Sequence, residues 1–207
     1  MSRSKSITSS SQLAGLICAA ILLAATGPDI CHAHGGPPLR LGVTADPAVS
    51  AVARLVLVHL REGVGFAVDW REFPDEAGLR AAFAGGSVDI AVVLTGEGQP
   101  ASATPGAAAC PPEKLASLGE ELRRRWGGEA FLLELPPGPA ACARPALIVS
   151  RAVLEDLRFG ILRKEASRLA SLIGREDVAT VRAAAAKGGE RAATAAARAV
   201  LGAKAKR

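Results

Sequence analysis

Three carboxylates and two hydroxyls fall at positions from which a chain could hold a small polar ligand. Thr44 and Asp46 follow the apolar stretch LRLGV at 39–43, Asp75 follows WREF at 70–73, and Thr95 and Glu97 follow VDIAVVL at 88–94. In an open α/β sheet a ligand sits beyond the carboxyl ends of the parallel strands. The candidate ligand-binding residues are therefore Thr44, Ala45 and Asp46 after the first strand, Phe73 and Asp75 after the second, and Thr95, Gly96 and Glu97 after the third. Asp46–Pro47 and Pro74–Asp75 also mark helix starts, whose backbone N–H groups suit an anion. The competing reading makes Asp46 and Asp75 ordinary helix caps. Asp89 is expected to be structural, holding a backbone group near the start of the third strand.

Catalysis finds little material. His34 would become the N-terminus after a cut at Ala33 and could hold copper with a second histidine. The candidate partner, His59, lies in the helical pattern LVLVHLRE, where a packed histidine is expected. No serine stands in a nucleophile elbow. The glycines of GGS and GEG are not followed by the Lys-Ser/Thr of a phosphate loop. The sequence predicts no enzyme, no catalytic residue, no metal site and no cofactor.

The N-terminus reads as a secretory signal. MSRSKS is a basic n-region, LAGLICAAILLAATG at 13–27 an apolar h-region, and DICHA at 29–33 ends in small residues suited to cleavage after Ala33. The apolar run is short of the roughly 20 residues that span a bilayer. A retained N-terminal anchor is the alternative. Cleavage would remove Arg3, Lys5 and Asp29, taking the 25 basic and 20 acidic residues to 23 and 19, a mild excess of four. With no tyrosine and little aromatic content among the charges, a nucleic-acid surface is not expected. Cys18 and Cys31 leave with the signal. Cys110 and Cys142 remain as an even pair in an exported chain, and a disulfide is expected rather than two free thiols. It would close a loop of about 30 residues, worth about 3 kcal/mol in the chain-entropy model.

The elements that must position these groups alternate. A strand over 39–44 leads to a helix that starts at Asp46–Pro47 and ends at Gly63 and Gly65. A strand over 66–73, a short helix closed by a glycine pair, and the apolar run 88–95 follow. After a Gly/Pro/Ala-rich stretch come a helix from Pro112, a strand over 129–136, a second Pro-rich stretch and a strand over 145–150. The remainder is helical, as one helix over 152–173 and two Ala-rich helices divided by Gly188-Gly189. This order predicts a doubly wound α/β fold with a mainly parallel sheet flanked by helices. The expected organisation is a signal at 1–33, one domain at 34–203 and a basic tail at 204–207.

The order GGSVDIAVVLTG, helix, EAFLLELPPGPAACARPALIVSR and an acid- and Ala-rich helical tail resembles substrate-binding proteins of ABC transporters, of the glycine betaine, choline and proline (osmoprotectant) type. Within it SVDIAVVLTG at 87–96, VLEDL at 153–157, LIGREDVATV at 172–181 and ARAVL at 197–201 match pieces of that family, and the likeness covers roughly residues 39–203. The resemblance implies one lobe of a type II periplasmic-binding-protein fold, an exported or periplasmic location, a small solute such as a quaternary amine, and a membrane permease as partner. Family members have two lobes with ligand between them. Here PALIVSR at 145–151 runs almost directly into the closing helices, so the second lobe is missing and a homodimer could restore a closed cleft. The resemblance also implies an aromatic cage around the ammonium, held by cation–π attraction. Trp70 and Trp126 are read as packing residues rather than cage walls. The alternative function is a single-lobe interaction module that has lost its solute and docks to a protein.

Overall fold

The computed structural model of the protein describes residues 37–95, 112–133 and 144–205, which belong to one compact unit. Strand β1 (Leu39–Thr44) lies between β2 (Val68–Phe73) and β3 (Ile90–Leu94) and is parallel to both. On the far side of β3, β5 (Pro145–Val149) pairs antiparallel with β3 and with the edge strand β4 (Glu129–Leu132). The order is β2-β1-β3-β5-β4, so four strands share a direction and β5 opposes them. The fold is doubly wound α/β. Its reversed strand is the departure from simple alternation.

Period-two alternation divides the central strands between two cores. Ile90 and Val92 of β3, with Leu147 and Val149 of β5, face a layer formed by α1 (Pro47–Val58), α5 (Leu162–Leu172) and α6 (Arg175–Lys204). Ala91, Val93, Ala146 and Ile148 face α2 (Glu76–Ala84) and α3 (Pro112–Trp126), packing with Leu79, Phe83, Leu122 and Trp126. Burial on both faces explains why IAVVL and PALIV are unbroken apolar runs. Gly42 of β1 is where α2 comes closest. A Cβ there would stand 2.4 Å from Leu79 Cδ1 and 2.8 Å from Val88 Cγ1, so the glycine sets the helix-to-sheet spacing.

Two helical expectations need correction. The helix over 152–173 is interrupted: α4 (Arg151–Glu155) stops at Asp156, a turn spans Leu157–Phe159, and α5 begins at Leu162. Asp156 adopts an extended conformation and accepts from the Arg158 N–H at 2.9 Å, which swings Phe159 into the core against Phe66, ring centroids 5.5 Å apart. Burying that ring outweighs continuing the helix. The end of α1 also differs, because residues His59–Val64 widen into a π-type turn closed by Gly65 at φ 90°. The strand after it begins at Val68 rather than 66, since the Phe66 N–H turns back to Leu60 O at 2.9 Å. Within α6 the expected break is present, with non-helical backbone at Gly188 and Gly189. Among the described residues no helix is long and apolar enough to cross a membrane.

Candidate functional site

β1 and β2 end side by side, with Thr44 in register with Phe73, and each is followed at once by a helix start. Asp46 caps α1, its Oδ1 accepting from the N–H groups of Ala48 (2.8 Å) and Val49 (2.9 Å). Asp75 caps α2, accepting from Gly78 N–H at 2.7 Å. These caps form because a short carboxylate in extended backbone reaches the first free amides of the helix it precedes. Thr44, Asp46, Asp75 and Glu76 then line a shared open pocket of about 530 Å³.

Arg125, from the last turn of α3, completes this pocket. Its Nη2 lies 2.6 Å from Glu76 Oε1. The basic run RRR at 123–125 was the sequence signal for it, but nothing in the run says which arginine turns toward the strand ends. Both caps therefore satisfy backbone groups of their own helices, and Arg125 is the pocket's cation, itself partly neutralised.

The other candidates divide. Phe73 is half-buried and packs on the core beneath α2 rather than projecting into the pocket. Thr95 is buried at 2 % exposure: its N–H donates to Arg144 O at 2.7 Å, and its Oγ1 accepts from Arg144 N–H at 2.8 Å. That exchange fastens the end of β3 to the start of β5, so Thr95 does not present its hydroxyl to the pocket. Gly96, Glu97, Cys110, Cys142 and His34 lie outside the described residues.

Asp89 braces the opposite end of the central strands. Buried to 7 % exposure, it accepts from Arg40 N–H (2.8 Å), Nε (2.8 Å) and Nη2 (2.7 Å), so one carboxylate fixes the starts of β1 and β3 together. Hydrogen bonding to Asp89 raises the pKa of the Arg40 guanidinium, against the opposing pull of burial.

All seven aromatic rings pack into or against the two cores. Trp126 is buried edge-on to Phe83, centroids 5.6 Å apart. Trp70 carries the Arg54 guanidinium 4.0 Å over its ring and gives its Nε1–H to Glu72 Oε1 at 3.1 Å. The ring face that could attract a quaternary ammonium is thus covered by a cation of the protein itself. No group of three or more His, Cys, Asp and Glu able to hold a metal occurs among the described residues. No family model, curated protein or solved structure matches the chain.

Proposed function

We propose that the chain is an exported, single-lobe binding protein of the substrate-binding type. In this reading it receives a small solute for an ABC-type osmoprotectant import system and presents it to a membrane permease. The observation that carries this reading is the strand-end pocket, where the ends of two parallel strands and the starts of two helices meet around Thr44, Asp46, Asp75 and Arg125. Recognition there rests on charged groups: Arg125 meets an acidic group, and the carboxylates of Asp46, Asp75 and Glu76 meet a cationic one. A zwitterionic solute such as betaine or proline fits that mixture without an aromatic cage.

A second reading is favoured by a separate observation. Asp46 and Asp75 already satisfy helix amides, so the edge is a pre-formed polar surface and suits a docking protein as well as a solute. A thermal-shift screen with betaine, choline, carnitine, proline and simple anions separates the two. A ligand that binds only the folded state adds about 2.7 kcal/mol at a hundredfold excess over Kd. A raised midpoint with one zwitterion, lost in Arg125→Met, supports the solute reading. A flat panel sinks it in favour of the docking surface.

A further inference from the structure

A second cavity, of about 330 Å³, lies at the other end of α1, where the widened turn His59–Val64 meets the C-terminal parts of α5 and α6. His59 Nε2 lies 2.8 Å from Glu165 Oε2, and the two side chains are only 11 % and 12 % exposed. In the neutral imidazole, the tautomer that fits this contact carries its proton on Nε2 and donates it to the carboxylate. This leaves Nδ1, which has no hydrogen-bond partner among the described residues. It faces Gly63, where a Cβ would stand 3.3 Å away. A π-type turn is uncommon and recurs at functional sites. Here it carries His59, Glu62 and Gly63 on the cavity wall.

The charges on the wall and directly behind it are unevenly matched. Glu62 Oε1 takes the Nε–H of Arg198 at 2.6 Å, Glu165 takes His59, and Asp177 Oδ2 takes Lys204 Nζ at 2.5 Å. Each carboxylate is thus engaged. Arg168 comes no closer than 3.8 Å to Glu165, and the outer nitrogens of Arg198 make no hydrogen bond among the described residues. Two guanidinium groups, their side chains 58 % exposed and with donors that no described residue takes, stand over Val58, Leu172 and Leu201 and suit a guest with an acidic group on a short apolar body.

We propose that this cavity binds a small organic acid bearing a hydroxyl beside its carboxylate. Arg168 and Arg198 hold the carboxylate, and His59 Nδ1 accepts from the hydroxyl. Glu165 orients the ring so that the accepting nitrogen faces the guest. The site is separate from the strand-end pocket and stands or falls without the transport reading.

Calorimetric titration of the full chain with lactate and malate, against propionate and succinate as the same acids lacking the hydroxyl, tests this. At least one hydroxy acid is expected to bind about threefold to tenfold tighter than its mate, the worth of one hydrogen bond. Arg168→Met and Arg198→Met are each expected to abolish that binding while the melting midpoint stays in place. Because His59→Gln also disturbs Glu165, Gly63→Ala is the second probe of the ring, its added methyl obstructing Nδ1; both are expected to erase the preference over the hydroxyl-free acid. No heat from either hydroxy acid, or binding that survives Arg168→Met, overturns the proposal. Binding lost in Arg125→Met instead moves the anion to the strand ends and overturns it equally.

Discussion

The two ends of α1 make opposite use of their polar side chains. At its start, Asp46 is engaged by amides of its own helix, and neighbouring Asp75 and Thr95 are engaged by α2 and by β5. At its end, the carboxylates are engaged, Arg168 and Arg198 keep donors that no described residue takes, and His59 Nδ1 stands as an open acceptor. Strand ends are where a ligand is expected from topology, yet there the fold itself uses most of the groups. A site needs unsatisfied hydrogen-bonding capacity, and topology alone does not guarantee it.

The largest test of this contrast is the buried carboxylate of Asp89. Asp89→Ala leaves Arg40 without its three contacts and is expected to cost about 3 kcal/mol, read from the urea midpoint. A cost near zero would mean that engagement in the structure does not measure structural worth. A smaller effect separates the two ends directly. Asp46→Ala is expected to cost about 1 kcal/mol as a lost cap, whereas Arg168→Met at the other end should stay within about 0.5 kcal/mol. Equal losses at both positions would erase the distinction.

The smallest effect is a titration. Asp156, at the surface, is held by Arg158 through three side-chain contacts and a backbone bond, which lower its pKa to about 2. A depressed carboxyl contributes stability above its ordinary value, and that contribution fades as pH falls toward 2. Carboxyl NMR should place the Asp156 midpoint near 2 in the native chain and return it to the ordinary carboxylate range in Arg158→Ala. An unchanged midpoint would show that Arg158 is not the cause.

Much of the fold was legible because its signals are local. The Asp46–Pro47 start, the Gly65 stop, the double-faced apolar run of β3 and the Gly188-Gly189 break each follow from residue type and spacing. The direction of β5 was not, since PALIV reads alike in either orientation and only its neighbours fix it. The interruption at Asp156 was hidden for a related reason: LEDLRFGIL has helical spacing, and the gain from seating Phe159 on Phe66 is invisible until both are placed. Thr95 was selected for its position after an apolar strand, but Arg144, 49 residues away, takes its hydroxyl.

Sequence by itself determined the alternation of strands and helices, the two-faced burial of β3, and the caps, because periodicity and capping act between residues a few positions apart. Tertiary structure alone decided which polar groups remain available. His59 lies 106 residues from Glu165 and Glu62 lies 136 from Arg198, and hydrogen bonds over such separations are set by how the helices pack on the sheet.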